Sequence, residues 1–126
     1  MARELRKISK EELENILSNH RRYLNGEGKK FKADLSYTDL RGVDLVGSNL
    51  TDANLRDAIL CNAILRKADL SDANLCDADL CYADLRGANL RNARLTYVLL
   101  IGADLRGVKL DGAILDGVIM NEETLF

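Results

Sequence analysis

The sequence predicts an all-β solenoid, a fold in which the chain bends at regular intervals and stacks on itself. Three observations lead to this prediction. A leucine occupies every fifth residue from Leu35 to Leu115, and Met120 takes the next position of the series. A small side chain lies two residues before each of them, from Ala33 to Val118. Glycine, aspartate or asparagine usually lies two residues after the leucine. These positions define a five-residue unit with a buried side and a bend.

A five-residue step fits neither a straight helix nor a straight strand. In an α-helix, five residues rotate the chain by about 500°, so successive leucines would scatter around the helix axis. In a flat strand, an odd step would place every second leucine on the opposite face. A chain that bends once per unit instead directs every leucine and every small residue toward one interior axis, as in a solenoid.

The residues at the predicted bends suit such a chain. Glycine, aspartate and asparagine tolerate the positive φ angles of tight turns. They lie two residues after the leucine at positions 42, 47, 52, 57, 62, 72, 77, 87, 92, 102, 107, 112 and 117. The sequence contains no proline, which fits stacked coils whose backbone amides donate to the neighbouring coil.

The repeat unit resembles that of a known family. Written out, it is Ala-Asp-Leu-Ser-Tyr at 33–37, Ala-Asn-Leu-Arg-Asp at 53–57 and Ala-Asp-Leu-Arg-Gly at 83–87. It is similar to the A(D/N)LXX consensus of the pentapeptide-repeat family over residues 33–122, which hold 18 units. The resemblance implies a right-handed quadrilateral β-helix of about four and a half square coils, each built from four units and stacked at the spacing of β-strands.

A capping helix is predicted within residues 1–30, before the solenoid at 31–122 and a C-terminal tail at 123–126. Ser9 and Glu12 have the spacing of a capping box, so we expect the helix to begin at Lys10. An apolar stripe follows at helical spacing. Its members are Leu13, Ile16, Leu17, His20 and Leu24. We expect this stripe to cover the leucines of the first coil, with His20 as a packing residue rather than a ligand or a catalytic base.

The opposite end of the solenoid is also expected to need cover. The sequence places Leu115, Met120, Leu125 and Phe126 there. Two arrangements would protect them from water. Leu125 and Phe126 fold back as a plug, or two molecules meet end to end as a homodimer, as some members of the family do. We favour the contact between copies.

One outer face departs from the polar consensus when outward residues are sorted with a period of 20. This candidate interaction face consists of Ile59, Cys61, Ile64, Cys81, Tyr82, Leu99, Ile101 and Ile119. Contiguous exposed apolar side chains usually mark a contact site. The face is therefore predicted to bind a protein partner, whose identity the sequence does not give. The alternatives are neutral drift on a tolerant scaffold and cover by the C-terminal tail.

Charged residues form two further patterns. Arg66, Arg86 and Arg106 fall in one row beside Asp84 and Asp104, and we expect a ladder of exposed ion pairs. A second pattern is an acidic corner, which consists of Asp52, Asp57, Asp72 and Asp77. The repeat region as a whole is mildly acidic. Direct nucleic-acid binding is not expected, because neutralising phosphates requires a basic track.

The cysteines and the hydropathy of the sequence indicate the expected cellular compartment. The three cysteines, Cys61, Cys76 and Cys81, each follow a leucine in a position predicted to face outward. Free exposed thiols favour a reducing, cytoplasmic compartment over a disulfide or a metal site. No apolar run is long enough to span a membrane, and residues 3–22 are too charged for a signal peptide.

Three functional hypotheses follow. The first is a non-enzymatic protein-interaction or structural module without a cofactor, because no nucleophile, base and orienting group are brought together. The second, implied by the family resemblance, is a DNA-mimicking regulator of DNA gyrase or another DNA-binding enzyme. The third, also implied by it, is a regulatory role in cyanobacteria, where short proteins of this kind abound.

Overall fold

The computed structural model describes residues 3–126. It contains one α-helix, α1 (Lys10–Leu24), and a 3-10 turn at Lys29–Phe31, followed by a regular stack of coils. The coils pair through single-residue parallel bridges. Such short pairing follows from the sequence, because the chain bends again after every five residues. The helix begins at Lys10, as the capping motif predicts.

Backbone hydrogen bonds connect each coil to the next in a β-helical solenoid. Within the repeats the bridges join residues 20 apart, in four columns that begin at Asp34, Asp39, Asp44 and Asn49. In a typical rung, the Leu75 amide donates to the Arg94 carbonyl at 2.8 Å. The chain therefore returns to the same side of the stack every 20 residues.

The bends use positive φ at the residue two positions after the leucine. Glycines at these corners have φ of 66 to 76°, and ten other residues have φ of 53 to 65°. Six of these ten are aspartate or asparagine, as expected, and the other four are Tyr37, Lys67, Tyr82 and Tyr97. Ladder bonds hold them there, since the Tyr82 amide donates to the Ile101 carbonyl at 2.8 Å.

Leucines and small residues fill the interior. Every leucine of the series from Leu50 to Leu95 is at most 1% exposed. Alanines at the small positions from Ala53 to Ala93 are fully buried or nearly so. Burying one leucine contributes about 2 kcal/mol, so the free energy of folding is spread along the stack rather than concentrated in one coil.

Helix α1 covers the first coil, which comprises the four repeat units at residues 33–52. The Ser9 hydroxyl accepts a hydrogen bond from the Glu12 amide at 3.0 Å and caps the helix. Leu13 and His20 are buried, and Ile16 and Leu17 pack partly buried against the core. The predicted stripe is confirmed for these four residues and wrong for the fifth, because Leu24 lies in the last turn and is exposed.

A second part of the N-terminal cap has no counterpart in the prediction. The Arg6 amide donates to the Tyr37 carbonyl at 2.7 Å, and the Asp39 amide donates to the Arg6 carbonyl at 2.9 Å. The segment before α1 thus adds one bridge to the first coil, between Arg6 and Thr38, one residue out of register with the Asp39 column. It satisfies backbone groups that the first coil would otherwise leave open.

The C-terminal tail also adds a rung, but in a shifted register. Leu125 forms a bridge with Asp104, so one extra residue separates this pair compared with the pairs above it. Thr124 takes the small interior position, and its buried hydroxyl donates to the Leu100 carbonyl at 2.8 Å. The rung covers Leu105, whereas Leu115 and Met120 stay exposed.

Candidate interaction surfaces

The predicted apolar face is divided by polar residues. Ile59, Leu99 and Ile119 lie in one column, where Asp79 separates Ile59 from Leu99. Ile64 lies on the next side, in a column with three aspartates. Cys61, Cys81 and Ile101 form a neighbouring row, since they are spaced 20 apart. All members are half-buried by their neighbours except Tyr82 and Ile119, which are exposed.

The Tyr82 ring packs downward within its own molecule. A side chain at Gly102, one coil below, would collide with this ring, so the tyrosine covers the glycine. Its hydroxyl faces Glu123 in the tail, and a hydrogen bond to that carboxylate raises the pKa of Tyr82. Tyr97 covers Gly117 in the same way. Part of the apolar surface predicted for a partner is therefore used to pack consecutive corners.

All three cysteines are free, and two of them, Cys61 and Cys81, are thiols of low reactivity. Burial raises the pKa of Cys61 to about 12 and that of Cys81 to about 11, and the nearby Asp79 carboxylate contributes to both shifts. These thiols are protonated and weakly nucleophilic at neutral pH. The predicted exposure is wrong for Cys76, which is buried; Arg56 and Thr96 occupy the same position of the adjacent coils.

The predicted arginine ladder is confirmed. Arg86 lies 2.7 Å from Asp84 and 3.7 Å from Asp104, and Arg106 lies 2.6 Å from Asp104. Arg66 completes the row at 3.5 Å from Asp84. The hydrogen bond from Arg106 lowers the pKa of Asp104 to about 2. Because each guanidinium faces a carboxylate, the row offers little uncompensated positive charge to an anionic ligand.

The predicted acidic corner is wrong as a single feature. Asp52 and Asp72 occupy one corner, while Asp57 and Asp77 occupy the next, because the chain bends between them. Basic residues also compensate them. Lys32 lies 3.4 Å from Asp52, and Arg56 lies 3.4 Å from Asp57 and 3.7 Å from Asp77. Charges of both signs thus alternate over this surface.

The C-terminal end of the solenoid carries the densest exposed apolar surface. Leu115, Met120, Leu125 and Phe126 lie there as predicted and are 41%, 44%, 46% and 73% exposed. We call this surface, together with Ile114 and Ile119, the end surface. Ile114 was absent from the prediction, although it occupies an outward position where the consensus has Asp or Asn.

Open backbone groups accompany these side chains. Among residues 3–126, the amides of Leu110 and Leu115 and the carbonyls of Ala113 and Val118 have no hydrogen-bond partner. Equivalent groups in the coils above are paired across the ladder. The end surface therefore resembles the edge of an ordinary β-sheet, which can accept a further strand.

Two classes of site are not found in the part of the chain that the structure describes. Residues 3–126 contain no cluster of three or more histidine, cysteine, aspartate or glutamate side chains able to hold a metal ion. None of their helices is sufficiently long and apolar to cross a membrane.

Comparison with known proteins gives consistent matches. A family model described as pentapeptide repeats matches residues 31–66, 65–96 and 83–121, with eight copies. HetL, a pentapeptide repeat protein involved in heterocyst differentiation regulation from the cyanobacterium Nostoc, is 37% identical in a match covering 75% of this chain and 48% of that chain, with a TM-score of 0.68.

A second solved structure is a pentapeptide repeat protein from the Arabidopsis thaliana thylakoid lumen. It is 37% identical in a match covering 68% of this chain and 59% of that chain, with a TM-score of 0.65. The matched region thus spans about half of HetL and three fifths of the Arabidopsis protein. No curated protein sequence matches the chain.

Proposed function

Because this chain belongs to the pentapeptide repeat family, we propose that it is a non-enzymatic protein-interaction module. Proteins of this family form right-handed β-helices and serve in general as structural or interaction modules. The finer architecture is part of the proposal. The four bridge columns would form the sides of a quadrilateral coil of 20 residues, repeated about four and a half times at the spacing of β-strands.

The end surface is the single observation that carries the proposal. It combines exposed aliphatic and aromatic side chains with backbone donors and acceptors that lack partners among the described residues. Burial of the apolar side chains favours association, and the unpaired backbone amides and carbonyls fix the orientation of the bound partner. An interaction surface of this kind does not require a catalytic group or a cofactor.

A second copy of the chain is the partner that we propose for this surface. Two identical ends can meet around a two-fold axis, so that each patch contacts its own equivalent. The open amide of Leu115 in one copy could then face an open carbonyl, such as that of Ala113, in the other. Contact would also bury Met120 and Phe126. Such side chains contribute most to the free energy of binding when the interface excludes water from them completely.

Solution mass tests this proposal. Analytical ultracentrifugation of the wild type should show a dimer that dissociates on dilution, whereas Met120→Lys should sediment at the monomer mass of 14.0 kDa. Val46→Lys is the matched control, because Val46 is exposed to a similar degree, 48% against 44% for Met120, but lies in the first coil. A monomeric wild type at high concentration, or equal dissociation of both variants, would contradict the dimer.

The other hypotheses receive less support from the described surfaces. The predicted apolar face stays a candidate contact for a protein partner, and Ile119 connects it to the end surface. A DNA-mimicking role would require a continuous acidic surface, whereas Arg56 and Lys32 compensate the carboxylates here. A cytoplasmic location is also part of the proposal, since the free thiols suit a reducing compartment.

A further inference from the structure

The first coil contains an open backbone edge far from the end surface. Arg6 pairs with Thr38 on the Asp39 side of the first coil, but no residue within 3–126 pairs in this way on the neighbouring Asp44 side. Among residues 3–126, the amide and the carbonyl of Asp44 and the carbonyl of Val46 have no hydrogen-bond partner. These groups have the spacing that a parallel strand needs for pairing, because the Asp44 column pairs in that way on its other side.

A groove of about 400 Å³ adjoins this edge, between α1 and the first coil. We call it the N-terminal groove. Its apolar walls are formed by Ile8, Leu13, Leu17, Leu40 and Val43. Leu13 and Leu40 belong to the buried core, and the other three pack against it partly buried. The groove therefore offers a preformed apolar recess beside open strand-pairing groups, so one ligand could use both.

The outer rim of the groove has a distinct chemistry. Val46 lies outside the lining of the groove, two residues after Asp44, and is 48% exposed at a position where the next three coils carry arginine. Asp39 and Arg41 on the rim pair with each other at 2.7 Å. The other charged lining groups, Lys10, Glu14 and Asp44, form no ion pair within residues 3–126. Lys7 also lies at this rim, close to Asp39, so the rim as a whole is balanced in charge. The two carboxylates without an ion pair, Glu14 and Asp44, favour a basic group of the ligand at their own positions.

We propose that the N-terminal groove binds an extended peptide segment of a partner protein by β-strand addition. An aliphatic side chain of the segment enters the groove, and a basic side chain that follows it meets Glu14 and Asp44. The rung below provides the pattern for pairing. There the Ile64 amide donates to the Val43 carbonyl at 2.9 Å, and the Leu45 amide donates to the Ile64 carbonyl at 2.8 Å. The added segment would use the open Asp44 and Val46 groups on the opposite side of the same rung.

The segment before α1 supports this mode of binding. Arg6 adds to the adjacent column with two backbone hydrogen bonds of 2.7 and 2.9 Å, without belonging to the repeats. On one of its sides, the first coil thus already pairs with a segment that lies outside the repeats. On the Asp44 side, the N-terminal groove lies beside the unpaired backbone groups. A bound segment would therefore be selected by the side chain that fits the groove, as well as by backbone pairing.

A blocked synthetic peptide, Ala-Ile-Leu-Arg-Lys, is a suitable probe because it copies residues 63–67, which pair with the other side of this rung. Titration into the ¹⁵N-labelled full chain should give saturable shifts of the Asp44 amide and its neighbours. Hydrogen exchange of the Asp44 amide should slow at saturation. Methylation of the leucine nitrogen of the peptide removes the donor to the Asp44 carbonyl and should weaken binding at least about tenfold.

Charge is tested separately. Replacing the last two peptide residues by glutamate should weaken binding several-fold at low salt. Glu14→Lys in the protein should also weaken binding of the basic peptide. Glu11→Lys should not, because Glu11 is also exposed on α1 but does not line the groove. These variants replace exposed residues, so the fold should be retained and is checked by circular dichroism.

Three outcomes would overturn the proposal. The first is the absence of saturable shifts at Asp44 up to the solubility limit of the peptide. The second is equal binding of the methylated peptide, which would show that backbone pairing is not used. The third is binding confined to residues 110–120, which would place the strand-accepting edge at the end surface. None of these results bears on the solution mass, so failure here is distinct from failure of the dimer.

Discussion

Replacement of His20 tests whether α1 is held to the solenoid by one side chain. The imidazole is fully buried and stacks on Tyr23, with ring centroids 5.4 Å apart. Its Nδ1 accepts a hydrogen bond from the Ala33 amide at 2.9 Å, and its Nε2 lies 2.8 Å from the Thr51 carbonyl oxygen. A carbonyl only accepts, so Nε2 must carry the proton in the neutral ring. His20 thus ties α1 to both ends of the first coil.

The size of the effect follows from the two partners that would be left behind. His20→Ala strands a buried amide at Ala33 and a carbonyl at Thr51, each at about 1–3 kcal/mol, and it opens a cavity. We expect a loss of about 3–5 kcal/mol in the free energy of unfolding. His20→Gln keeps a hydrogen-bond donor and an acceptor and should cost about 1–2 kcal/mol. His20→Phe keeps an aromatic ring but no hydrogen-bonding group and should cost about 2–4 kcal/mol.

Urea unfolding followed by circular dichroism measures these values, and hydrogen exchange of the Ala33 amide reports the cap directly. Asn19→Ala is the control, because its exposed position on the same helix should change stability by no more than about 0.5 kcal/mol. A cost below about 1 kcal/mol for His20→Ala would refute the reasoning. So would a glutamine variant as unstable as the alanine variant, since hydrogen bonding would then not be the source.

Three further predictions concern the corners, the charges and the core. Gly102→Ala should cost about 1 kcal/mol more than Gly42→Ala, as measured by urea unfolding, because both have nearly the same φ but a side chain at Gly102 displaces a tyrosine ring. Arg106→Leu should raise the pKa of Asp104 from about 2 toward its ordinary 3.8, as followed by NMR titration. In the wild type this pair contributes stability above pH 4 that is lost as the pH falls toward 2. Leu75→Ala, at a fully buried site, should cost about 3–5 kcal/mol by the same unfolding assay.

The period of five was sufficient to predict the interior, because it records which side chains face the axis in every unit. Leu75 and its small neighbour Ala73 are buried for a reason visible in any single repeat. The helix start at Lys10 was equally accessible, since the capping motif is local. Features that repeat, or that depend on a few adjacent residues, are the ones that a sequence displays.

Pairings that occur once could not be derived in this way. The rung formed by Arg6 lies outside the repeats, and no sequence pattern marks it. The extra residue before Leu125 is similarly hidden, because Phe126 falls one position late in the series. Contacts between coils also decide exposure on the outer faces. Cys76 is buried although it occupies the same position of the repeat as the exposed Arg56, so the position in the repeat alone does not determine its exposure.

The constant offset of 20 residues between bridged partners has a consequence for changes in chain length. Removing or duplicating any block of 20 residues returns each side chain to a column of the same kind, so the outer faces keep their chemistry. Inserting or deleting five residues keeps the leucines buried, but it moves every following outward residue to the adjacent side of the coil. The interior therefore tolerates growth in units of five, whereas a binding face is inherited intact only in units of 20.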